Sequence, residues 1–241
     1  SALREGNPIF DAVRDTGIPC VRRGELLSVI AAGKKFVAVS GSHGKTTTSG
    51  MIAYGIHRLG LDVNYILGGL FADGAIAPSR FSESEWMVAE VDESDGTIDG
   101  FSPEQSVILN IDWDHADQYA THSELESAFF HLAERTQSRV WIPETLATNF
   151  PKSEQIESYP VEAHGLACSG LNVGNWSAAM NVLRFFEPDA DPELLDDFPG
   201  MARRQSVLLR EENLVVMEDY AHHPTEIDAL LRDLRRKPGD T

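Results

Sequence analysis

The segment SGSHGKTTT combines two glycines, a lysine and several threonines in an order that suits phosphate binding. Gly41 and Gly44 permit left-handed backbone angles and a close approach of the backbone to a ligand. Lys45 supplies a positive charge, and Thr46 places a hydroxyl where a helix would begin. We therefore predict that helix-end N–H groups and Lys45 hold the β- and γ-phosphates of a nucleotide, while the Thr46 hydroxyl ligates Mg²⁺. The predicted nucleotide contacts in the loop are Gly41, Ser42, His43, Gly44, Lys45, Thr46 and Thr47.

This loop departs from the general Walker pattern, which requires a glycine five residues before the Gly-Lys pair. Val39 stands at that position, so the loop is a shortened form. A purely structural glycine-rich turn is the alternative. The position of the loop between an apolar run and a helical segment favours phosphate binding.

Acidic side chains follow two further apolar runs, WMVAEV and SVILNI. These segments supply Glu90, Asp92, Glu93 and Asp95 in the first case, and Asn110, Asp112, Asp114, His115 and Asp117 in the second. Ligands of open α/β sheets bind at the carboxyl ends of parallel strands, so these residues and the loop should share one crevice. Carboxylates and a threonine hydroxyl suit Mg²⁺, and an imidazole extends the choice to Mn²⁺. For any one of these residues, a solvated loop charge is the alternative.

A layered α/β domain must position these groups. Apolar runs predict strands at 36–40, 64–67, 86–91, 106–111 and 139–142, several of them unbroken, as in parallel strands buried on both faces. Helical spacing over 46–59 ends at Gly60, a candidate C-cap. Residues 122–135 form a second predicted helix, with a capping box at Ser123 and Glu126. The predicted fold class is therefore α/β, with a mostly parallel sheet of the P-loop, ATP-binding type flanked by helices.

The composition changes near residue 187, where EPDADPELLDDFPG gathers acidic residues and prolines. Beyond it, NLVVMEDYAHHPTEIDALLRDLRR predicts a strand, a turn and a helix that begins near Pro224. We place a domain boundary near residue 199. Residues 33–199 form the predicted central ATP-binding domain, and residues 200–241 form the start of a second, Rossmann-like α/β domain.

The net charge limits the kinds of partner that the protein can bind, and the cysteine content indicates its cellular compartment. The 241 residues include 38 acidic and 20 basic side chains, for a net charge of −18. This charge argues against a general affinity for nucleic acid or an anionic membrane. We find no apolar stretch of about 20 residues and no signal-peptide core. Cys20 and Cys168 form no C-x-x-C pair, so we expect a cytoplasmic protein without a disulfide framework.

Four ordered motifs resemble those of the Mur ligases, the ATP-dependent amino-acid ligases of peptidoglycan precursor synthesis. SGSHGKTTT is similar to their phosphate loop, AEVDESDG to their metal-binding acidic stretch, and NIDWDHADQY to their Asn-x-x-x-Asp-His-x-Asp segment. FPGMARRQ, followed by VVMEDYAHHPTEI, resembles the start of their C-terminal domain. The runs DESDG and DYAHHPTE resemble the branch that acts on UDP-N-acetylmuramate.

The resemblance implies a reaction. ATP would phosphorylate the carboxylate of UDP-N-acetylmuramate, and an amine would attack the resulting acyl phosphate. Lys45 would offset charge on the moving phosphoryl group, and Thr46 and Glu90 would hold Mg²⁺. By the same resemblance His115 would hold a second metal ion, so the implied catalytic residues are Lys45, Glu90 and His115. A hydrogen-bonded loop histidine is the alternative for His115.

The resemblance also implies contacts outside the loop. Asn172 and Asn175 match asparagines near the adenine, although Leu171 stands where this branch often has histidine. Arg204 and Asp219 match residues that approach ATP when the domains close, and a solvated linker arginine is the alternative for Arg204. His222 and His223 would contact substrate or shape the turn that precedes the last helix.

The resemblance covers part of a Mur ligase. Residues 1–32 are similar to the last piece of the UDP-binding domain and its linker, and most of the C-terminal domain has no counterpart, so we expect a fragment. The amine remains open between L-alanine and the tripeptide L-Ala-γ-D-Glu-meso-diaminopimelate, and a folylpolyglutamate-synthase-like ligase is a near relative of this interpretation. A P-loop phosphotransferase or NTPase, and a non-catalytic nucleotide-binding module, are the alternatives from other classes. The oligomeric state is left open.

Overall fold

A mostly parallel sheet of seven strands forms the centre of the molecule. The computed structural model describes residues 7–94, 96–116, 118–162 and 172–236. The strands are β1 (Lys35–Ser40), β2 (Asn64–Ile66), β3 (Ser79–Arg80), β4 (Trp86–Glu90), β5 (Gln105–Ile108), β6 (Arg139–Pro143) and β7 (Ile156–Tyr159). Their order is β3-β2-β4-β1-β5-β6-β7, and β3 is antiparallel to β2 while the other pairs are parallel. The predicted α/β fold class is confirmed, and so are the five predicted strands, although β5 ends three residues earlier than expected.

Helices cover both faces of this sheet. They are α2 (Arg23–Ala31), α3 (Lys45–Leu59), α4 (His122–Arg135) and α5 (Asn172–Phe186), whereas α1 (Pro8–Thr16) precedes them and buries none of its residues. Side chains of β1 alternate between the two faces: Val37 and Val39 join one buried cluster, and Phe36 and Ala38 join the other. The first cluster is shared with α3 and α5, and the second with α4. Complete burial of each large apolar side chain contributes about 1.5–3 kcal/mol, so these two layers hold the strand ends in place.

Of the two helix caps predicted from the sequence, the structure has one, at the end of α3. Helix α3 ends at Gly60, whose φ of 66° is left-handed, as the sequence predicts. The range of α4 is also confirmed, but the capping box predicted at Ser123 and Glu126 is wrong. Thr121 is the N-cap, and its hydroxyl accepts a hydrogen bond from the Glu124 N–H at 3.3 Å. Thr121 fits the same S/T-x-x-E pattern two residues earlier and has the extended backbone that an N-cap requires.

A second α/β unit follows the central sheet. It consists of the antiparallel pair β8 (Ser206–Glu211) and β9 (Leu214–Glu218) and of helix α6 (Pro224–Arg236). The predicted strand and helix are confirmed, whereas β8 was not predicted. Met201, 1% exposed, packs in the central core, and Phe71 pairs with it. This contact attaches the segment before β8 to the central core.

No helix in the described part of the chain is long and apolar enough to cross a membrane.

Candidate functional site

The loop between β1 and α3 has the geometry of a phosphate cradle. Gly41 has a φ of 137° and Gly44 a φ of 85°, both in the region that favours glycine. A Cβ on Gly41 would lie 3.0 Å from the Leu109 Cβ, and one on Gly44 would overlap the Asn175 side-chain amide. Gly44 is the N-cap of α3 and has no side chain to satisfy the first N–H groups of the helix. These N–H groups, with the positive end of the helix dipole, form a site suited to an anion.

Asn110 holds this loop in shape. Its side-chain oxygen accepts a hydrogen bond from the His43 N–H at 2.8 Å, and its amide nitrogen donates to the His43 carbonyl at 3.0 Å. The Ser42 N–H donates to the Asn110 carbonyl at 3.2 Å. The sequence placed Asn110 among the polar residues after the fourth predicted strand, and the structure shows that it braces the loop.

Lys45 forms an ion pair with Glu93, one of the acidic residues predicted to share a crevice with the loop. Its Nζ donates to the Gly41 carbonyl at 2.7 Å and to Glu93 at 2.9 and 3.2 Å. Glu93 is fully buried. The sequence listed Glu93 with its acidic neighbours but held no signal to separate it from Asp92, because burial at this point depends on the packing of Tyr119 and the neighbouring loop.

Thr46 and Glu90 come together as the sequence predicts. The Thr46 hydroxyl donates to Glu90 Oε2 at 2.9 Å, and Glu90 is 8% exposed. A Cβ on Gly68 would overlap the Glu90 carboxylate, so this carboxylate packs directly against the backbone of Gly68. A hydroxyl and a carboxylate oxygen are hard ligands of the kind that Mg²⁺ prefers, so this pair fits the ion.

His115 lies beside Glu93 rather than Glu90. Its Nε2 lies 3.5 Å from Glu93 Oε1 and 3.7 Å from Asp114 Oδ2. The hydrogen bond to Glu93 raises the pKa of His115 above its usual 6.5, and burial only partly opposes this effect. His115 has a φ of 58°, which is uncommon outside glycine and is typical of functional sites. Ligand-type atoms of Asp92, Glu93 and His115 lie within 4.8 Å of one another, which gives the ligand set of a second cation site.

One cavity of about 260 Å³ contains all three predicted metal ligands. Thr46, Glu90 and His115 line it together with Lys45 and Arg23. Arg23, at the start of α2, was not predicted. Its guanidinium lies 3.3 Å from Asp92 Oδ2 and 3.9 Å from Glu90 Oε1.

A larger cavity of about 640 Å³ also borders the loop. The residues predicted by resemblance to contact adenine and ATP all line it: Asn172, Asn175, Arg204 and Asp219. His43, Gly44 and Thr47 of the loop line the same cavity. Its volume is in the range of small-molecule sites.

The four residues from outside the loop are held by specific contacts. Asn175 accepts a hydrogen bond from the Thr48 hydroxyl at 3.2 Å and donates to Asn172 Oδ1 at 3.2 Å. Asp219 accepts from the Gln205 N–H at 2.8 Å. The Arg204 guanidinium lies 5.4 Å from the centre of the Tyr220 ring. The cavity is therefore lined by α5, the phosphate loop and the segment around β8 and β9.

The predicted residue His222 lines the smaller cavity, and His223 follows it in the chain. His222 is exposed and pairs with Glu226 at 3.4 Å, while His223 contacts the Trp113 carbonyl at 2.9 Å through its Nε2. Both lie in the turn before α6, so the predicted shaping of that turn has a structural basis. Asp95, Asp117, Cys168 and Leu171 lie outside the described residues.

Comparison with known proteins was made on sequence and on structure. Residues 39–146 match the Mur ligase middle domain. A UDP-N-acetylmuramate–L-alanine ligase from Jannaschia sp. (strain CCS1) is 32% identical over 98% of this chain and 58% of the relative. One from Carboxydothermus hydrogenoformans is 33% identical over 96% of this chain and 58% of the relative. The chain thus spans somewhat more than half the length of the curated relatives it matches.

A solved structure agrees with these matches. The UDP-N-acetylmuramate–alanine ligase MurC from Thermotoga maritima superposes with a TM-score of 0.77 at 27% identity. The match covers 96% of this chain and 61% of that one. The sheet, its helices and the second unit are therefore similar to this structure over nearly the whole described chain.

Proposed function

Because the chain belongs to the Mur ligase family, we propose that it supplies the ATP-binding part of a ligase that joins L-alanine to the carboxylate of UDP-N-acetylmuramate. The observation that carries this proposal is the convergence at one sheet edge of the phosphate loop, the Thr46–Glu90 pair and the Glu93–His115 pair. A nucleotide phosphate and one or two hard cations fit these groups. L-alanine is the amine named for the relatives.

In the proposed reaction, a carboxylate oxygen of UDP-N-acetylmuramate attacks the γ-phosphorus of ATP, and the bond to ADP breaks. The amine of L-alanine then attacks the carbonyl carbon of the acyl phosphate and loses a proton. The C–O bond to phosphate breaks, which leaves an amide and inorganic phosphate. The first step brings two anions together, and this repulsion is the main barrier that the site must lower.

The loop residues act on that barrier. The first N–H groups of α3 hold the phosphates, and Lys45 reaches the transferred phosphoryl group after leaving the loop carbonyl of Gly41. The short Lys45–Glu93 contact keeps the ammonium aimed into the cavity while it does so. Thr46 and Glu90 would hold Mg²⁺, which would neutralise part of the phosphate charge. Asp92, Glu93 and His115 would hold a second cation.

The domain limits are part of the proposal. Residues 33–199 form the ATP-binding domain, residues 1–32 the linker from a UDP-binding domain, and residues 200–241 the start of the domain that binds the amino acid. Asn172, Asn175, Arg204 and Asp219 contact the nucleotide in the larger cavity. The proposed substrates, ATP and a UDP-sugar, place the full-length protein in the cytoplasm.

Turnover of the full-length protein tests this function. With ATP, Mg²⁺ and UDP-N-acetylmuramate, ADP release should require an amine, and L-alanine should serve better than L-Ala-γ-D-Glu-meso-diaminopimelate. Better turnover with the tripeptide would move the protein to the other ligase of this branch. Phosphate transfer to a hydroxyl acceptor without any amine would refute the ligase proposal and favour a P-loop phosphotransferase.

A further inference from the structure

A cluster of charged groups joins the phosphate loop to the start of α6. His43 Nε2 lies 3.1 Å from Asp112 Oδ2, and His43 Nδ1 lies 3.2 Å from Glu226 Oε1. One carboxylate follows β5 and the other belongs to α6. An imidazole can donate to two carboxylates only when both its nitrogens are protonated. The arrangement is therefore that of an imidazolium between two carboxylates from distant parts of the chain.

A second contact secures the same junction. His223 lies next to His43, with 4.9 Å between ring centres, and its Nε2 lies 2.9 Å from the Trp113 carbonyl. The side chains of His43 and Glu226 are only 16% and 14% exposed. Screening by solvent is limited at this exposure, so the ion pair is stronger than one on the open surface.

The protonation behaviour of the cluster agrees with this geometry. Burial alone would lower the pKa of His43, but the hydrogen bonds to Glu226 and Asp112 outweigh it and raise that pKa above 6.5. Burial alone would raise the pKa of Glu226, but the hydrogen bond to His43 and backbone N–H groups lower it to about 2. The charged and titratable groups around the His43 ring are Asp112, His223 and Glu226, with Lys45 and Arg204 lining the adjoining cavity.

The backbone of His43 directs the start of α3. Asn110 holds both its N–H and its carbonyl, and Gly44, the N-cap of α3, comes next in the chain. A shift of His43 would therefore turn the first N–H groups of the helix away from a phosphate. A precise placement of these donors is what makes such a site effective.

We propose that Glu226 is a positioning residue of the nucleotide site, which holds the phosphate loop through His43 when the segment at the start of α6 lies against the loop. Nucleotide affinity then depends on the position of this C-terminal segment. Glu226 itself need not touch the phosphates. This inference rests on the proposed nucleotide site.

Calorimetric binding of MgATP to the full-length protein tests the inference without requiring turnover. Glu226→Gln should weaken binding about tenfold at pH 6.5, since close charge pairs couple by at least about 1.4 kcal/mol. His43→Gln should weaken it similarly, and the double variant should be no weaker than the worse single one. Asp228→Asn is the matched control, because Asp228 forms an exposed pair with Arg232 on the same helix, and it should bind as the wild type does.

The pH dependence separates a positioning role from a merely structural one. The advantage of the wild type over Glu226→Gln should be complete well below the raised pKa of His43 and should shrink as the pH rises through that pKa. A ratio of affinities that stays constant from pH 6 to 9 would overturn the inference, as would independent, multiplying losses in the double variant. If Glu226→Gln does not fold, His43→Gln takes its place in this comparison, because it removes the other partner of the same ion pair.

The binding and turnover assays distinguish a failure of this inference from a failure of the proposed ligase function. A protein that binds MgATP and shows the coupling, yet forms no amide, would refute the ligase proposal and support the inference. A protein that forms the amide but binds MgATP equally well with and without the Glu226 carboxylate would do the reverse.

Discussion

Replacement of Lys45 should destabilise the full-length protein as well as inactivate it. Lys45→Met removes the ammonium that lies 2.9 Å from a fully buried carboxylate, Glu93. Breaking a buried pair by removing one partner costs about 3–5 kcal/mol, because the other charge stays buried without compensation. His115 lies 3.5 Å from the same carboxylate and offsets part of the loss, so we expect about 3 kcal/mol.

Thermal unfolding of the ligand-free protein measures this cost. For a domain of this size 1 kcal/mol corresponds to roughly 2–4 °C, so the melting temperature should fall by about 6–12 °C. Lys35→Met is the matched control, because Lys35 and Glu85 pair at the same 2.9 Å but with side chains 48% and 64% exposed. An exposed pair contributes about 0–1 kcal/mol, so the control should lose at most about 4 °C.

The double variant Lys45→Met/Glu93→Gln completes the test. Removal of the buried charge should restore most of the melting temperature, while ATP-dependent turnover stays absent because the phosphoryl-binding ammonium is missing. If Lys45→Met melts within about 2 °C of the wild type, or if the double variant is less stable than the single one, Lys45 does not stabilise the fold by compensating the buried charge of Glu93.

Two further predictions concern the carboxylate ligand and the His43 cluster. In Gly68→Ala the new Cβ would overlap the Glu90 carboxylate and should displace it. The Mg²⁺ concentration needed for half-maximal turnover should therefore rise at least tenfold. Gly100→Ala is the control, because its Cβ would make only ordinary contacts at 3.6 Å, and it should leave this concentration unchanged. Because the pKa of Glu226 is lowered in the folded protein, its carboxylate stabilises the fold fully above about pH 4.5, and this stabilisation is lost as the pH falls toward 2. The pKa of His43 is raised, so its stabilisation of the fold is complete below pH 6.5 and is lost as the pH rises through that raised pKa. The melting temperature of Glu226→Gln should therefore lie furthest below that of the wild type between about pH 4.5 and 6.5, and a difference that does not vary between pH 4 and 9 would contradict the assignment.

The sequence was sufficient for the central sheet because its strands are buried on both faces. Runs such as those of β1 and β4 have few polar residues, and their hydrophobicity alone identifies them. The edge strands were missed for the opposite reason: β7 has the sequence IESY with two exposed positions, and β3 is only two residues long. In β8, five of the six residues are exposed, so no buried face marks it in the sequence.

In the site too, features set by neighbouring residues could be predicted from the sequence, whereas a feature set by packing could not. The phosphate loop was predictable because its glycines and lysine act through local backbone geometry and spacing. The pairing of Thr46 with Glu90 was implied by the family resemblance, and in the structure the adjacency of β1 and β4 brings the two residues together. The ion pair of Lys45 with Glu93 was not predictable, because only the packed structure shows which carboxylate of the acidic segment is buried.

The route of one oxygen atom tests the proposed chemistry most directly. UDP-N-acetylmuramate labelled with ¹⁸O in its carboxylate would be incubated with the full-length protein, ATP, Mg²⁺ and L-alanine, and the inorganic phosphate would be analysed by mass spectrometry. An acyl phosphate requires one carboxylate oxygen to leave with the phosphate, so each phosphate should carry one ¹⁸O for each amide formed. Phosphate without the label, or ADP release without amide formation, would contradict the account.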